Sequence, residues 1–229
     1  PETGNIPLVA DISSCVLSEE LDVSKFGLLF AGAQKNLAPA GVTLVIVRED
    51  LIPEPDQCLP GTPTMSMYKT HADNDSMYNT PPCYTIYVLG KVLHWIEKNG
   101  GAAGINKLNV EKADYLYNYL DSSEFYHATT EKGSRSLMNV PFLTKYSNAE
   151  TAAASKVDEA DRTPEQIAVL KKEKEINSKF VKEAEAAGLV NLKGHRLVGG
   201  MRASIYNAMT LDGVKALVAF MEKFAKENA

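Results

Sequence analysis

Cysteine is scarce: Cys15, Cys58 and Cys83 are the three in 229 residues, scattered, odd in number and not at metal-ligand spacing. That pattern argues against a disulfide framework or a metal site and predicts buried or half-buried thiols in a reducing cytoplasm. No apolar run approaches membrane-spanning length, and no signal-peptide pattern opens the sequence, so a membrane is not an expected partner. Basic residues do not cluster: 24 Lys and Arg against 29 Asp and Glu leave a net charge of −5, so nucleic acid is not an expected partner either. An initiator Met is missing, which removal of Met before Pro also explains, and Pro1-Glu2-Thr3-Gly4-Asn5 runs almost directly into a strand-like Ile6-Pro7-Leu8-Val9-Ala10, a start that fits a fragment. There is no internal repeat. The remaining composition, 45% hydrophobic and 23% charged, is that of a globular protein with one large or two modest domains.

Short apolar runs dominate the first part. Leu8-Val9-Ala10 and Leu28-Leu29-Phe30 read as strands, and residues 42–47 as a longer, β-branched one. About sixteen residues separate the first two, enough for a crossover between parallel strands. The brief Pro39-Ala40-Gly41 turn predicts that the third runs antiparallel. Residues 48–82 carry Pro53, Pro55, Pro60, Pro63, Pro81 and Pro82 and read as irregular, a length that is usually functional or lies across a partner.

Helices are predicted next. Residues 84–98 place Ile86, Leu89, Val92, Leu93 and Ile96 on one face, with His94 and Trp95 packing near it. Asn99-Gly100-Gly101 ends that helix, and residues 105–120 repeat the pattern with Leu108, Ala113, Leu116, Tyr117 and Leu120. Residues 136–142 read as a strand, placed at an edge or strand end by Pro141. Residues 148–161 read as a loop or weak helix. Thr163-Pro164-Glu165-Gln166 supplies an N-cap, a first-turn proline and a capping box, opening a helix that stops at Gly188. Residues 197–205 read as a strand with a glycine bulge, and Thr210 or Asp212 caps a closing helix. Early strands followed by helix–strand alternation predict an α/β fold with a mixed sheet and a smaller second domain.

The stretch that organises these elements is Phe30-Ala31-Gly32-Ala33-Gln34-Lys35-Asn36. Small residues leave little bulk around the Lys35 amine. A poorly solvated lysine loses its proton more readily, and a neutral amine attacks an aldehyde. Taken alone, a loop lysine is ordinarily just exposed. Asp11 and Lys35 are both expected beyond the carboxyl ends of neighbouring strands, the edge where open α/β sheets bind ligands, although Asp11 also suits a turn or cap. Pyridoxal phosphate chemistry needs a lysine to hold the aldehyde and a carboxylate for the pyridine nitrogen; it also needs phosphate donors and arginines for an acidic substrate. The chain offers Lys35, Asp11, Gln34 with Asn79-Thr80, and His195-Arg196 with Arg202 beside Gly199-Gly200. Asn79-Thr80 also fits a helix-entry loop, and His195-Arg196 a solvated one.

These residues resemble a known family. Ala31-Gly32-Ala33-Gln34-Lys35-Asn36 with Pro39-Ala40-Gly41, then Asn79-Thr80-Pro81-Pro82, then Gly194-His195-Arg196 and the run from Gly199 to Ala208 are similar to the phosphoserine aminotransferases. That family consists of fold-type I, class V pyridoxal phosphate enzymes of serine biosynthesis, with a link to pyridoxine biosynthesis. The resemblance implies residues 1–97 as the C-terminal part of the large cofactor domain and 98–229 as the small C-terminal domain. It implies transamination between glutamate and 3-phosphohydroxypyruvate, giving phosphoserine and 2-oxoglutarate, in a cytoplasmic homodimer with sites at the interface. By the same resemblance Lys35 is the Schiff-base lysine, Asp11 pairs with the pyridine nitrogen and Gln34 binds the cofactor phosphate. Asn79 and Thr80 reach the phosphate of the other subunit, and His195, Arg196 and Arg202 bind substrate phosphate and carboxylates.

Some features depart from the family. Its N-terminal portion, with the ring-stacking aromatic, further phosphate ligands and a substrate-gripping arginine, has no counterpart here. Residues 148–182 are longer than the family leads one to expect, and Ala38 stands where glycine is usual. Two other readings stay open: an inactive fragment or structural remnant, and another enzyme of the fold, such as an alanine–glyoxylate aminotransferase or a cysteine desulfurase. A desulfurase needs an activated cysteine after the lysine, and neither Cys58 nor Cys83 sits in an obvious loop tip with activating neighbours.

Overall fold

The structure, a computed structural model, describes residues 2–194 and 199–228. The chain divides into two compact units, Pro1–Asn106 and Lys107–Ala229. Among the described residues no helix is long and apolar enough to cross a membrane, and no cluster of His, Cys, Asp or Glu could hold a metal ion.

The first unit is built on a three-stranded sheet of order β1 (Val9–Asp11), β2 (Leu28–Gly32), β3 (Thr43–Val47). β1 and β2 are parallel, Val9 opposite Leu28 and Asp11 opposite Phe30, as the crossover length predicts. β3 returns antiparallel, Leu28 opposite Val47 and Gly32 opposite Thr43. The central strand is the one that buries its side chains: Leu29 and Ala31 are enclosed, and Ala33 and Leu37 continue that core beyond the strand end with Val16. The parallel pairing therefore brings the ends of β1 and β2 to one edge.

Residues 48–82 are irregular, as expected, but hold three short 3-10 turns and one helical turn, α1 (Tyr68–Ala72). Helix α2 (Cys83–Lys98) follows, closed by Asn99 and by Gly100 and Gly101 at φ of 88° and 68°. Its periodicity is right, yet only Thr85 and Ile96 are buried; Ile86 and Leu93 are 45% and 43% exposed. The packing expected of His94 is not found: its side chain is exposed, with Nδ1 3.5 Å from Glu97 Oε2. Trp95 is also exposed. The thiols differ from expectation too, since Cys15 and Cys83 are exposed and only Cys58 is half-buried.

Helix α3 (Gly101–Ser122) carries the chain into the second unit. There an antiparallel sheet of order β4 (Tyr126–Ala128), β5 (Asn139–Thr144), β6 (Met201–Ser204) forms the frame. Helix α4 (Ala149–Ala154) is capped by Asn148, which accepts from the N–H groups of Glu150 and Thr151. Helix α5 (Pro164–Ala186) starts on the predicted box: Thr163 Oγ1 accepts from Gln166 N–H, and Gln166 Oε1 accepts from Thr163 N–H. Leu189 N–H closes its end on Ala184 O, with Gly188 at φ 84°. Of the two candidate caps for helix α6 (Leu211–Asn228), Thr210 takes the role, accepting from Gly213 N–H at 3.2 Å.

Pro141 does not mark an edge, because β5 is the central strand. Its oxygen accepts from Thr129 N–H, one residue past the end of β4, so its ring nitrogen faces a place where β4 has stopped. On the other side its partner Arg202 sends its N–H to Leu192 O instead. The one bond the proline cannot return falls at the frayed end of β4, outside the paired strands, so the proline is tolerated. β4 itself was not expected from the sequence.

The core of this unit centres on Phe180. Its ring meets Tyr126, Phe142, Phe220 and Phe224 edge-on, with centroids 5.1–6.0 Å apart. Met201 and Ala203 point into the same core, which turns Arg202 and Ser204 to the opposite face of β6. Phe180→Ala should cost about 3–5 kcal/mol through its cavity, and Thr163→Ala about 1 kcal/mol through its lost cap. Urea unfolding checks both, and equal losses would remove the ring cluster as the centre of this unit.

Candidate active site

The carboxyl edge of β1 and β2 gathers three of the expected residues. Asp11 ends β1, and its Oδ1 accepts from Ser13 N–H at 2.9 Å and Ser13 Oγ at 2.5 Å. Ser13 Oγ in turn accepts from Gly32 N–H, the last residue of β2, at 2.9 Å. One hydroxyl thus ties the two strand ends and the carboxylate together. Sequence reasoning assigned Ser13 no role; its place two residues after Asp11, the spacing of an Asx turn, was the available signal. The two Ser13 hydrogen bonds hold the Asp11 carboxyl below its ordinary value, with the nearby Lys35 charge a smaller cause.

Lys35 donates from Nζ to Ser14 Oγ at 2.6 Å, so its amine faces the segment that follows Asp11. Its shelter is less than the sequence suggests: Lys35 and Gln34 are both exposed. The turn beneath is held by several hydrogen bonds. Ala33 N–H donates to Val42 O, the N–H groups of Leu37 and Ala38 converge on Ala33 O, and the buried Asn36 donates to Val16 O. Gln34 folds its amide back over Gly32, where a Cβ would lie 2.7 Å from Gln34 Oε1, so a side chain at Gly32 would push the amide away. Cys15 lies close enough to sense both Asp11 and Lys35. Desolvation first, then Glu19 and Asp11, push its thiol up, the reverse of an activated nucleophile.

Asn79 and Thr80 lie in the loop before α2, both exposed. Among the described residues no hydrogen bond joins either side chain to Asp11, Gln34 or Lys35, so the structure does not bring them into that cluster. The start of α2 does approach the lysine turn: Thr85 Oγ1 is 3.7 Å from where a Cβ on Gly41 would stand.

Arg202 belongs to the second unit. Among the described residues its buried Nε has no hydrogen-bond partner. An unmatched buried donor costs about 1–3 kcal/mol, and an acceptor brought by a ligand would remove that cost. His195 and Arg196 lie outside the described residues. Among the described residues on either side, Gly194 N–H donates to Gly200 O at 3.0 Å and Lys193 is bridged to Met201. Gly200, at φ 60°, is required there, since a Cβ would collide with Leu143 Cδ2 and Phe142 O.

Ser13→Ala should raise the Asp11 carboxyl toward its ordinary 3.8. Because the folded value is depressed, the contribution to folding is present above that ordinary value and lost as pH falls through the lowered one. The variant should lose this acid-side dependence. An NMR titration of the Asp11 carboxyl carbon reads it directly, and an unmoved midpoint would remove Ser13 as its cause.

The chain is similar to known proteins over its whole length. The family profile "Aminotransferase class-V" matches residues 2–217. The phosphoserine aminotransferase of Laribacter hongkongensis is 54% identical over 229 residues, covering 100% of this chain and 55% of that protein. Among solved structures, phosphoserine aminotransferase from Bacillus circulans subsp. alkalophilus superposes with a TM-score of 0.83 at 43% identity, over 100% of this chain and 55% of its own. The PLP-bound phosphoserine aminotransferase of Trichomonas vaginalis gives 0.79 at 36% identity, over 97% and 55%. The chain spans about half the length of the curated relatives it matches. With its strand order, its lysine turn and a profile match over nearly every residue, the chain belongs to the class-V aminotransferase family.

Proposed function

We propose that this chain is part of a pyridoxal phosphate-dependent phosphoserine aminotransferase, which moves an amino group between glutamate and 3-phosphohydroxypyruvate in serine biosynthesis. The observation that carries the reading is the edge where Ser13 holds Asp11 and Lys35 reaches Ser14, set in a chain that matches phosphoserine aminotransferases at about half identity. On this reading residues 1–97 belong to a cofactor domain and 98–229 to a small domain of a cytoplasmic homodimer.

The residues fit the cofactor. When bound, pyridoxal phosphate supplies an aldehyde and an electron-accepting ring. Asp11, kept ionised by Ser13, offers the carboxylate that a protonated pyridine nitrogen requires. Lys35 offers the amine that holds the aldehyde and, once released, carries the proton at Nζ to and from the substrate carbon. Gln34 offers an amide to the phosphate, and Asn79 and Thr80 offer theirs to the phosphate of a second copy. Arg202, with its unmatched Nε, takes the α-carboxylate that donor and acceptor each present. His195 and Arg196 take the substrate phosphate, and Arg196 also serves the distal carboxylate of glutamate.

Lys35→Ala should abolish the visible absorbance of bound cofactor in the full-length enzyme. Borohydride reduction and peptide mapping should place the covalent adduct on Lys35, and an adduct on any other lysine would count against the assignment. Substrate recognition has its own test, single-turnover kinetics of the two half-reactions. Arg202→Lys should slow both at least about tenfold, roughly 1.4 kcal/mol, because lysine keeps the charge but loses the planar fork. His195→Ala should penalise phosphoserine more than glutamate. Equal losses would remove the phosphate role and favour another aminotransferase of the family.

A further inference from the structure

The far end of β6 is gripped from helix α3. Lys112 is 2% exposed, and its Nζ donates to Ile205 O at 3.1 Å and Tyr206 O at 2.9 Å. Asn109, one helical turn earlier and fully enclosed, donates from Nδ2 to Asn207 Oδ1 at 2.9 Å. The other side of the same segment is tied to β5 and the residue before it: Ile205 N–H donates to Met138 O at 2.8 Å, and Asn139 reaches both Ser204 Oγ and Tyr206 Oη.

A lysine is an expensive way to fill a core. Burial pushes its amine down to about 8, with no opposing charge among the causes. Methionine would fill similar space without that cost. What the ammonium adds is a pair of charge-assisted bonds to successive carbonyls. In an extended strand successive carbonyls point to opposite sides, so two that converge on one nitrogen require the chain to leave the strand there. β6 ends at Ser204, immediately before Ile205. Strand register matters here more than elsewhere. A one-residue slip against β5 would turn Met201 and Ala203 outward and drive Arg202 into the aromatic core.

We propose that Lys112 is a positioning residue for carboxylate recognition: by clamping the carbonyls of Ile205 and Tyr206 it fixes the end and register of β6, and so the presentation of Arg202. The inference rests on the reading of Arg202 as the residue that takes the α-carboxylate. Lys112 touches no substrate and acts through the strand.

The experiment uses Lys112→Met and Lys112→Arg in the full-length enzyme with cofactor bound. In Lys112→Met, KM for glutamate and for phosphoserine should both rise about tenfold while kcat stays within about threefold, the signature of lost uniform binding. Lys112→Arg, which keeps charge and donors, should recover most of that loss. A double variant with Arg202→Lys should lose little beyond Arg202→Lys alone, since both act through one group. Additive losses would overturn the proposal, as would an unchanged KM in folded Lys112→Met. Amide hydrogen exchange separates the two claims, because it needs no substrate: exchange over residues 201–204 should quicken in Lys112→Met, and unchanged exchange overturns the clamp. If exchange quickens but Arg202→Lys leaves both half-reactions intact, the clamp stands and the carboxylate role of Arg202 fails. Should Lys112→Met not fold, Lys112→Gln, which is polar but shorter and uncharged and so loses the charge-assisted pair of bonds, is read by the same exchange and KM criteria.

Discussion

The Ser13 hydroxyl joins three things that would otherwise be independent: the end of β1, the end of β2 and the Asp11 carboxylate. It donates to the carboxylate and accepts from Gly32 N–H, using both capacities of one small side chain. The parallel pairing of β1 and β2 makes this possible, because parallel strands finish at the same edge and leave backbone donors there. Lys35 then needs only the three residues beyond Gly32 to bring its amine to Ser14. The chemistry available at this edge follows from strand direction first and from side-chain identity second.

The second unit solves a different problem, that of holding an arginine in a defined place on a sheet. β6 uses its alternate residues for two purposes. Met201 and Ala203 join the Phe180 core, and Arg202 and Ser204 take the opposite face. The aromatic contacts around Phe180 resist a slip of that strand, because each ring is already edge-on to several others. Lys112 and Asn109 add polar restraints at the strand exit that apolar packing alone does not supply. The unmatched Arg202 Nε is then the one buried guanidinium donor, among the described residues, that this arrangement leaves for a ligand.

The first unit is also notable for what it leaves uncovered. Tyr84, Tyr87 and Leu93 on α2, with Val9, Val45 and Ile46 on the edge strands, remain exposed in this chain. Apolar area of that kind gains about 25 cal/mol per Å² when removed from water. Helical periodicity on α2 therefore describes a face that is amphipathic in pattern without being buried here.

Local chemistry could be read directly from the sequence wherever it is local in cause. The Thr163 capping box, the Gly188 stop, the turn at Pro39-Ala40-Gly41 and the crossover length between β1 and β2 depend on near neighbours, and each is found as expected. The grouping of Asp11, Gln34 and Lys35 was also legible, because two short strands in parallel leave few other places for their ends. What only tertiary structure decided depends on which elements meet. Pro141 looked like an edge residue until β4 proved to stop beside it, and β4 was too short to declare itself. The Ser13 link and the Lys112 clamp join residues 19, 93 and 94 positions apart, the burial of the Arg202 Nε depends on which segments surround it, and no periodicity encodes those meetings. Sequence set the local turns, caps and strand ends through short-range sterics and hydrogen bonding; the packing of distant segments decided which polar groups remained free to act.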